Sequence, residues 1–205
     1  MDPNTFPTKG NLILAKNSLA LARQGFDLMD KKRNILIREL MELINEASSI
    51  QSEIDTTFTA AYHALQNANI EMGIYNVQQL SKVMPIENSI DIKVRSVMGT
   101  EIPLVKYKEK EKKPMYSFYG TRISLDEACA KFNRVKELTI RLSMIETSAY
   151  RLASSIKKTQ KRANALQNIT IPRYKTLVTD IQNALEEKER EEFTRLKVIK
   201  RMHAS

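Results

Sequence analysis

The stretch ALQNITIPRYKTL, residues 165–177, sets Ile169, Thr170, Ile171 and Pro172 in succession inside an otherwise helical pattern. Pro172 has no amide hydrogen for the carbonyl of Asn168, its ring crowds that carbonyl, and Ile171 is pushed toward extended backbone. The chain must therefore kink within one helix or end one helix and begin another. The flanking apolar positions bear on the choice. Before the proline they run Val135, Leu138, Leu142, Ile145, Ala149, Leu152, Ile156, Thr159, Ala163, Leu166 and Thr170; after it they resume, shifted in phase, as Tyr174, Leu177, Ile181 and Ala184. Because the stripe continues, a kinked, continuous helix is the expected form, with a break at Pro172 as the alternative. The stripe then thins into EEKEREEF and RLKVIKR.

The first part of the chain carries a matching stripe: Leu12, Ala15, Leu19, Ala22, Phe26, Met29, Arg33, Leu36, Leu40, Leu43, Ala47, Ile50, Ile54, Thr57, Ala61, Ala64 and Ala68. Only Arg33 and Thr57 depart from apolar or small side chains. A 3.5-residue repeat held this long predicts a left-handed coiled coil, because a straight helix would drift off the stripe. At about 1.5 Å per residue, such a helix from near Asn11 to near Met72 is roughly 90 Å long. A capping box of Ser124 with Glu127 is expected to start the second helix after Gly120.

Between the helices the pattern changes. SIDIKVRSV alternates apolar and polar residues, Gly99 supplies a turn, and EIPLVKY can return, so a two-stranded hairpin is expected. Pro103 makes the return strand an edge. A lone ribbon is marginal and must lean on the helices or on another subunit, while KEKEKKP reads as a solvated loop. The expected architecture is mainly α: a long antiparallel two-helix left-handed coiled coil with a small β-hairpin insert at its turn end. Its segments are an N-terminal helix 1–72, an insert 73–122 and a C-terminal helix 123–205. Partner residues then sum to about 195, which sets 151–162 opposite Glu39 and Glu42 for flanking ion pairs.

Composition agrees with long helices: 205 residues, 42% hydrophobic and 28% charged, five Gly and no Trp. One cysteine, Cys129, suits a reducing compartment and a cytoplasmic location. No apolar run approaches the roughly 20 residues of a membrane span, and the first residues lack a signal-like apolar core. The net charge of +9 is concentrated late, with no acid between Glu146 and Asp180 but with Arg151, Lys157, Lys158, Lys161, Arg162, Arg173 and Lys175. Such a stripe needs an acidic partner or water.

Catalytic chemistry is not written in the chain. No glycine-rich phosphate loop is present, His63 and His203 lack ligand-like spacing, Cys129 suits packing, and Glu191 with Glu192 falls on a solvated charged run. No cofactor or metal is expected. Gly25 lies inside the first helix, where it costs roughly 1 kcal/mol relative to Ala, either as tolerated weakness or to let another chain approach closely. Arg33, a lone charge in the seam, is suited to setting register.

PTKGNLILAKNSLALARQGFDLMDKKRNILIREL near the start and NALQNITIPRYKTLVTDIQNALEEKEREEFTRLKVIK near the end resemble the two signature regions of the D subunit of the V/A-type rotary ATPases, and RSVMGTEIP is similar to that family's short hairpin. The likeness covers nearly the whole chain; Gly10 departs from it, where a larger residue is expected. The resemblance implies a noncatalytic rotor shaft that binds no nucleotide. Both chain ends would enter the hexamer of catalytic A and B subunits, and the hairpin end would face the membrane, meeting the F subunit and a socket subunit on the membrane ring. The shaft would couple ATP hydrolysis or synthesis to ion transport, protons or sodium, at the cytoplasmic face of a membrane. It also implies axle contacts at Arg23, Gly25, Lys32, Arg33, Pro172 and Arg173. The competing reading is an independent basic coiled coil that binds anionic membrane or nucleic acid.

Overall fold

A computed structural model describes residues 6–84, 90–107, 116–117 and 119–203. Its elements are α1 (Lys9–Met72), α2 (Ile74–Ser81), β1 (Ile90–Val97), β2 (Thr100–Tyr107), α3 (Ile123–Ala165), a π-helical turn (Leu166–Thr170) and α4 (Ile171–His203). The segment KEKEKKP lies outside the described residues. The chain divides into two compact units, one joining Met1–Asn34 with Ile156–Ser205 and the other made of Ile35–Ser155. In each, a stretch of α1 runs antiparallel to a stretch from the C-terminal half.

Every position of the two apolar stripes is buried or half-buried, from Leu12 to Ala68 and from Val135 to Ala184. In the unit Ile35–Ser155, Ile50, Ile54, Leu138 and Ile145 form a core cluster flanked by Leu43, Ala47, Phe58, Leu142 and Met144. Antiparallel order follows from the cross-helix pairs: Arg141 Nη2 to Glu46 Oε1 at 2.5 Å, Arg134 Nη2 to Glu53 Oε1 at 2.8 Å, and Ser124 Oγ to Glu71 Oε2 at 2.7 Å. Two expectations are corrected here. Glu39 and Glu42 form no ion pair among the described residues, and the bridging cations are Arg134 and Arg141 rather than the 151–162 stripe. Nor does Ser124 cap α3: the helix begins at Ile123, and the Ser124 hydroxyl donates to Glu71 on α1.

α2 was not expected. Gly73, at φ 81° and ψ 141°, ends α1 in a positive-φ conformation open to glycine, its amide bonded to Asn69 O at 3.0 Å. The eight-residue helix that follows buries Val77 against Ala68 and Leu125. Tyr116 closes this cluster, donating to Asp126 Oδ1 at 2.5 Å and lying 3.8 Å from Cys129 Sγ. Partial burial and the Asp126 carboxylate hold the Tyr116 hydroxyl protonated well above its ordinary range, and burial pushes the Cys129 thiol up. A thiol so held packs rather than attacks.

The hairpin forms as the alternation predicts. Met98 (φ 49°) and Gly99 (φ 76°) both take positive φ, the signature of a two-residue type I′ turn, with Val97 opposite Thr100. The ribbon leans on a helix of its own chain, one of the two supports expected, and lies along α3. Thr100 Oγ1 donates to Ser155 Oγ at 2.8 Å, Arg151 Nη1 to Glu101 O at 3.2 Å, and the Val105 amide to Met144 Sδ at 3.2 Å. Lys136 Nζ sits 5.5 Å from the Tyr107 ring centre. The lateral support that a two-stranded ribbon requires thus comes from this chain's own helix.

In the unit joining Met1–Asn34 with Ile156–Ser205, Thr8 Oγ1 accepts the Asn11 amide at 3.2 Å and caps α1. At the other chain end the helix is continuous through Pro172, as expected, by way of one wide turn. The Ile171 amide bonds Leu166 O, five residues back, and Thr170 Oγ1 reaches Ala165 O at 3.4 Å. The sequence contains the cause. Seam spacings alternate between three and four residues up to Thr170, and the next position is Tyr174 rather than residue 173. Two four-residue steps, 166 to 170 and 170 to 174, therefore adjoin, and a locally wider turn suits that longer spacing. It falls where Pro172 can donate no bond in any case.

Candidate functional site

The six candidate positions all fall in the unit joining Met1–Asn34 with Ile156–Ser205. Arg33 is held on both sides. Its Nη1 donates to Gln160 Oε1 across the seam at 2.9 Å, Nε and Nη2 reach Asn34 Oδ1, and Asp30 pairs with Nη2. Gln160 passes the network to Asn164 Oδ1 at 2.7 Å. A charge inside an apolar seam costs free energy unless its donors are met, and here acceptors from both helices meet them. Sliding α1 by one turn would strand the guanidinium against apolar neighbours, which is how a polar layer specifies register.

Gly25 faces Leu166, whose Cδ1 would stand 3.7 Å from an added Cβ. The neighbour at this glycine is thus a residue of the same chain, at ordinary van der Waals distance. Gly25→Ala should therefore stabilise the isolated chain by about 1 kcal/mol through helix propensity, read as a raised denaturant midpoint. A lowered midpoint would show that α1 and the π turn approach too closely for a methyl group. Arg23, Pro172 and Arg173 are exposed, and Lys32 is half-covered. Lys157, Lys158, Lys161 and Arg162 also point to water, because Gln160 takes the position flanking the seam.

Two further surfaces escaped the sequence reading. Leu14, Leu21 and Leu28 are 61%, 70% and 63% exposed, and Ile35 39%, forming a seven-residue recurrence on α1 beside the buried stripe. The signal lies in the sequence, one position before each seam residue, where the same seven-residue period makes it indistinguishable from a wider seam. On α4 every residue from Glu186 to His203 is exposed, including Phe193, Leu196, Ile199 and Met202 at three-residue spacing. Exposed leucines in a heptad row and four large apolar side chains exposed over the last turns of α4 are unusual for a free monomer and signal a contact surface.

Among the described residues no group of three or more His, Cys, Asp or Glu could hold a metal ion, and no helix is long and apolar enough to cross a membrane. The geometry thus defines a class: a two-helix antiparallel coiled coil carrying a side-packed ribbon, equipped with surfaces for contact. Residues 11–201 match the family model of the ATP synthase D subunit, and the chain belongs to that family. It is 44% identical to the V-type ATP synthase D subunit of Thermotoga neapolitana, over 95% of this chain and 96% of that one. It is 36% identical to the A-type ATP synthase D subunit of Pyrococcus furiosus, over 95% and 92%. The A-type ATP synthase D subunit of Methanobrevibacter smithii is also 36% identical, over 95% and 85%.

Proposed function

We propose that the chain is the noncatalytic central-stalk axle of a V/A-type ATPase or ATP synthase. It transmits torque between a catalytic A and B hexamer and a membrane ring that moves protons or sodium. The observation that supports this reading is the pairing of a buried two-helix seam within each unit with exposed apolar residues on the last turns of α4. Torque transmission needs two helices that cannot slip, which the satisfied Arg33 layer and the cross-helix ion pairs favour. Engagement of a surrounding hexamer needs surface that is apolar yet uncovered in the lone chain, which Phe193, Leu196, Ile199 and Met202 supply. Exposed cations at Arg23, Lys157, Lys158, Lys161 and Arg173 suit acidic walls around the shaft.

On this reading the F subunit and the socket subunit bind nearer the membrane, and the chain sits at the cytoplasmic face through the complex alone. The test is copurification of the full chain with the A and B subunits, followed by a salt titration. Retention on the hexamer at high salt is expected. Salt-labile binding to DNA or anionic vesicles, without retention on the hexamer, would instead favour an independent basic coiled coil.

A further inference from the structure

The two long edges of the hairpin are treated very differently. In a type I′ hairpin the pair Val97 and Thr100 exchanges both backbone bonds, so the ladder bonds fall at 97/100, 95/102, 93/104 and 91/106. The amides of the intervening pairs point out of the ribbon. On β2 those outward positions are Glu101, Pro103, Val105 and Tyr107. The Glu101 carbonyl accepts Arg151, the Val105 amide donates to Met144, and Pro103 has no amide to leave unpaired. That edge is closed.

On β1 the outward amides belong to Ile92, Val94 and Ser96, and no described residue receives them. Their side chains are also open, with Ile92 66% and Val94 63% exposed. Natural edges of this kind are commonly blunted by proline, by a bulge, by a covering helix or by edge charges; among the described residues β1 has none of the first three, and its charges, Lys93 and Arg95, select an acidic strand instead of blocking every strand. Its charge is one-sided too. Asp91 stands opposite Lys106, whereas Lys93 stands opposite Leu104 and Arg95 opposite Ile102, so two cations lack a cross-strand acid.

From this edge we infer that β1 accepts a third strand, contributed by another subunit of the assembly in which the chain is read to work. The strand it fits alternates apolar with acidic residues: apolar side chains beside Ile92 and Val94, carboxylates beside Lys93 and Arg95. Main-chain bonds supply the affinity and the alternation supplies the selectivity, as in other strand-addition interfaces. A third strand also relieves the marginal stability of a two-stranded ribbon.

Hydrogen exchange on the intact complex and on the free full chain tests this. The amides of Ile92, Val94 and Ser96 should exchange at least about tenfold more slowly in the complex, while those of Lys93 and Arg95, bonded within the ladder, report the hairpin intact in both states. Val94→Pro removes an outward donor without touching a ladder bond. It should leave the chain in the complex but abolish the added protection at Ile92 and Ser96, and Lys93→Glu with Arg95→Glu should weaken it. Equal exchange in the assembled complex and the free chain overturns the inference and leaves the axle reading standing. Protection that survives Val94→Pro also overturns it. Concentration-dependent protection in the free chain, lost in Val94→Pro, would assign the edge to a second copy instead. A wild-type chain that fails to enter the complex removes the axle reading and this inference together.

Discussion

Ile145→Ala is expected to lower the unfolding free energy of the isolated chain by about 3 kcal/mol, a large share of the 5–15 kcal/mol typical of a domain. Ile145 is 1% exposed and sits among Ile50, Ile54 and Leu138, with Met144 and Leu142 beside it. Three carbons lost there leave a cavity whose walls are held by two helices already bound at Arg141–Glu46 and Arg134–Glu53, so collapse around the gap is limited. Urea unfolding read by circular dichroism gives the change directly. Leu21→Ala is the control: at 70% exposure it should shift the midpoint by less than about 0.5 kcal/mol, while weakening capture by the hexamer. If both variants lose stability equally, the Leu14–Leu21–Leu28 row is part of the fold and not a contact surface.

The second prediction concerns the wide turn. Deleting Asn168 together with Pro172→Ala should yield a chain that folds and assembles but couples ATP hydrolysis to ion transport several-fold less well. The deletion takes out the residue by which the wide turn exceeds an α turn, so Tyr174, Leu177 and Ile181 keep their orientation while the turn closes to α. The substitution restores the missing amide donor. The helix can then run as an unbroken α-helix with its buried residues in phase, and stability should hold or rise. What changes is any bend at the turn, and with it the asymmetry that the proposed axle would present to the catalytic hexamer. Pro172→Ala alone is the weaker experiment. It leaves the extra residue in the turn, so the π turn is expected to persist; the sequence alone suggests that the single substitution would straighten the helix. Normal coupling in the double variant would remove this stretch from the mechanism. A regular helix should be confirmed in the same variant by loss of the Ile171-to-Leu166 bond.

The sequence by itself determined the two stripes and every buried position along them and the hairpin with its turn at Gly99; at Pro172 it favoured a continuous helix and left a break as the alternative. Each of these is written as a period or a break in one, and a period is local information that survives without knowledge of neighbours. Only the tertiary structure decided which cations reach which acids, that the ribbon lies along α3, that Gly73 is followed by a helix, and that Leu166 faces Gly25. These depend on where separate segments meet, and long side chains such as Arg134 and Arg141 reach partners over a range that residue spacing does not resolve. The π turn stands between the two kinds. Its cause, a proline beside two adjoining four-residue steps of the seam, is legible in the chain, whereas its form depends on packing, because Thr170 and Tyr174 are both half-buried on either side of it.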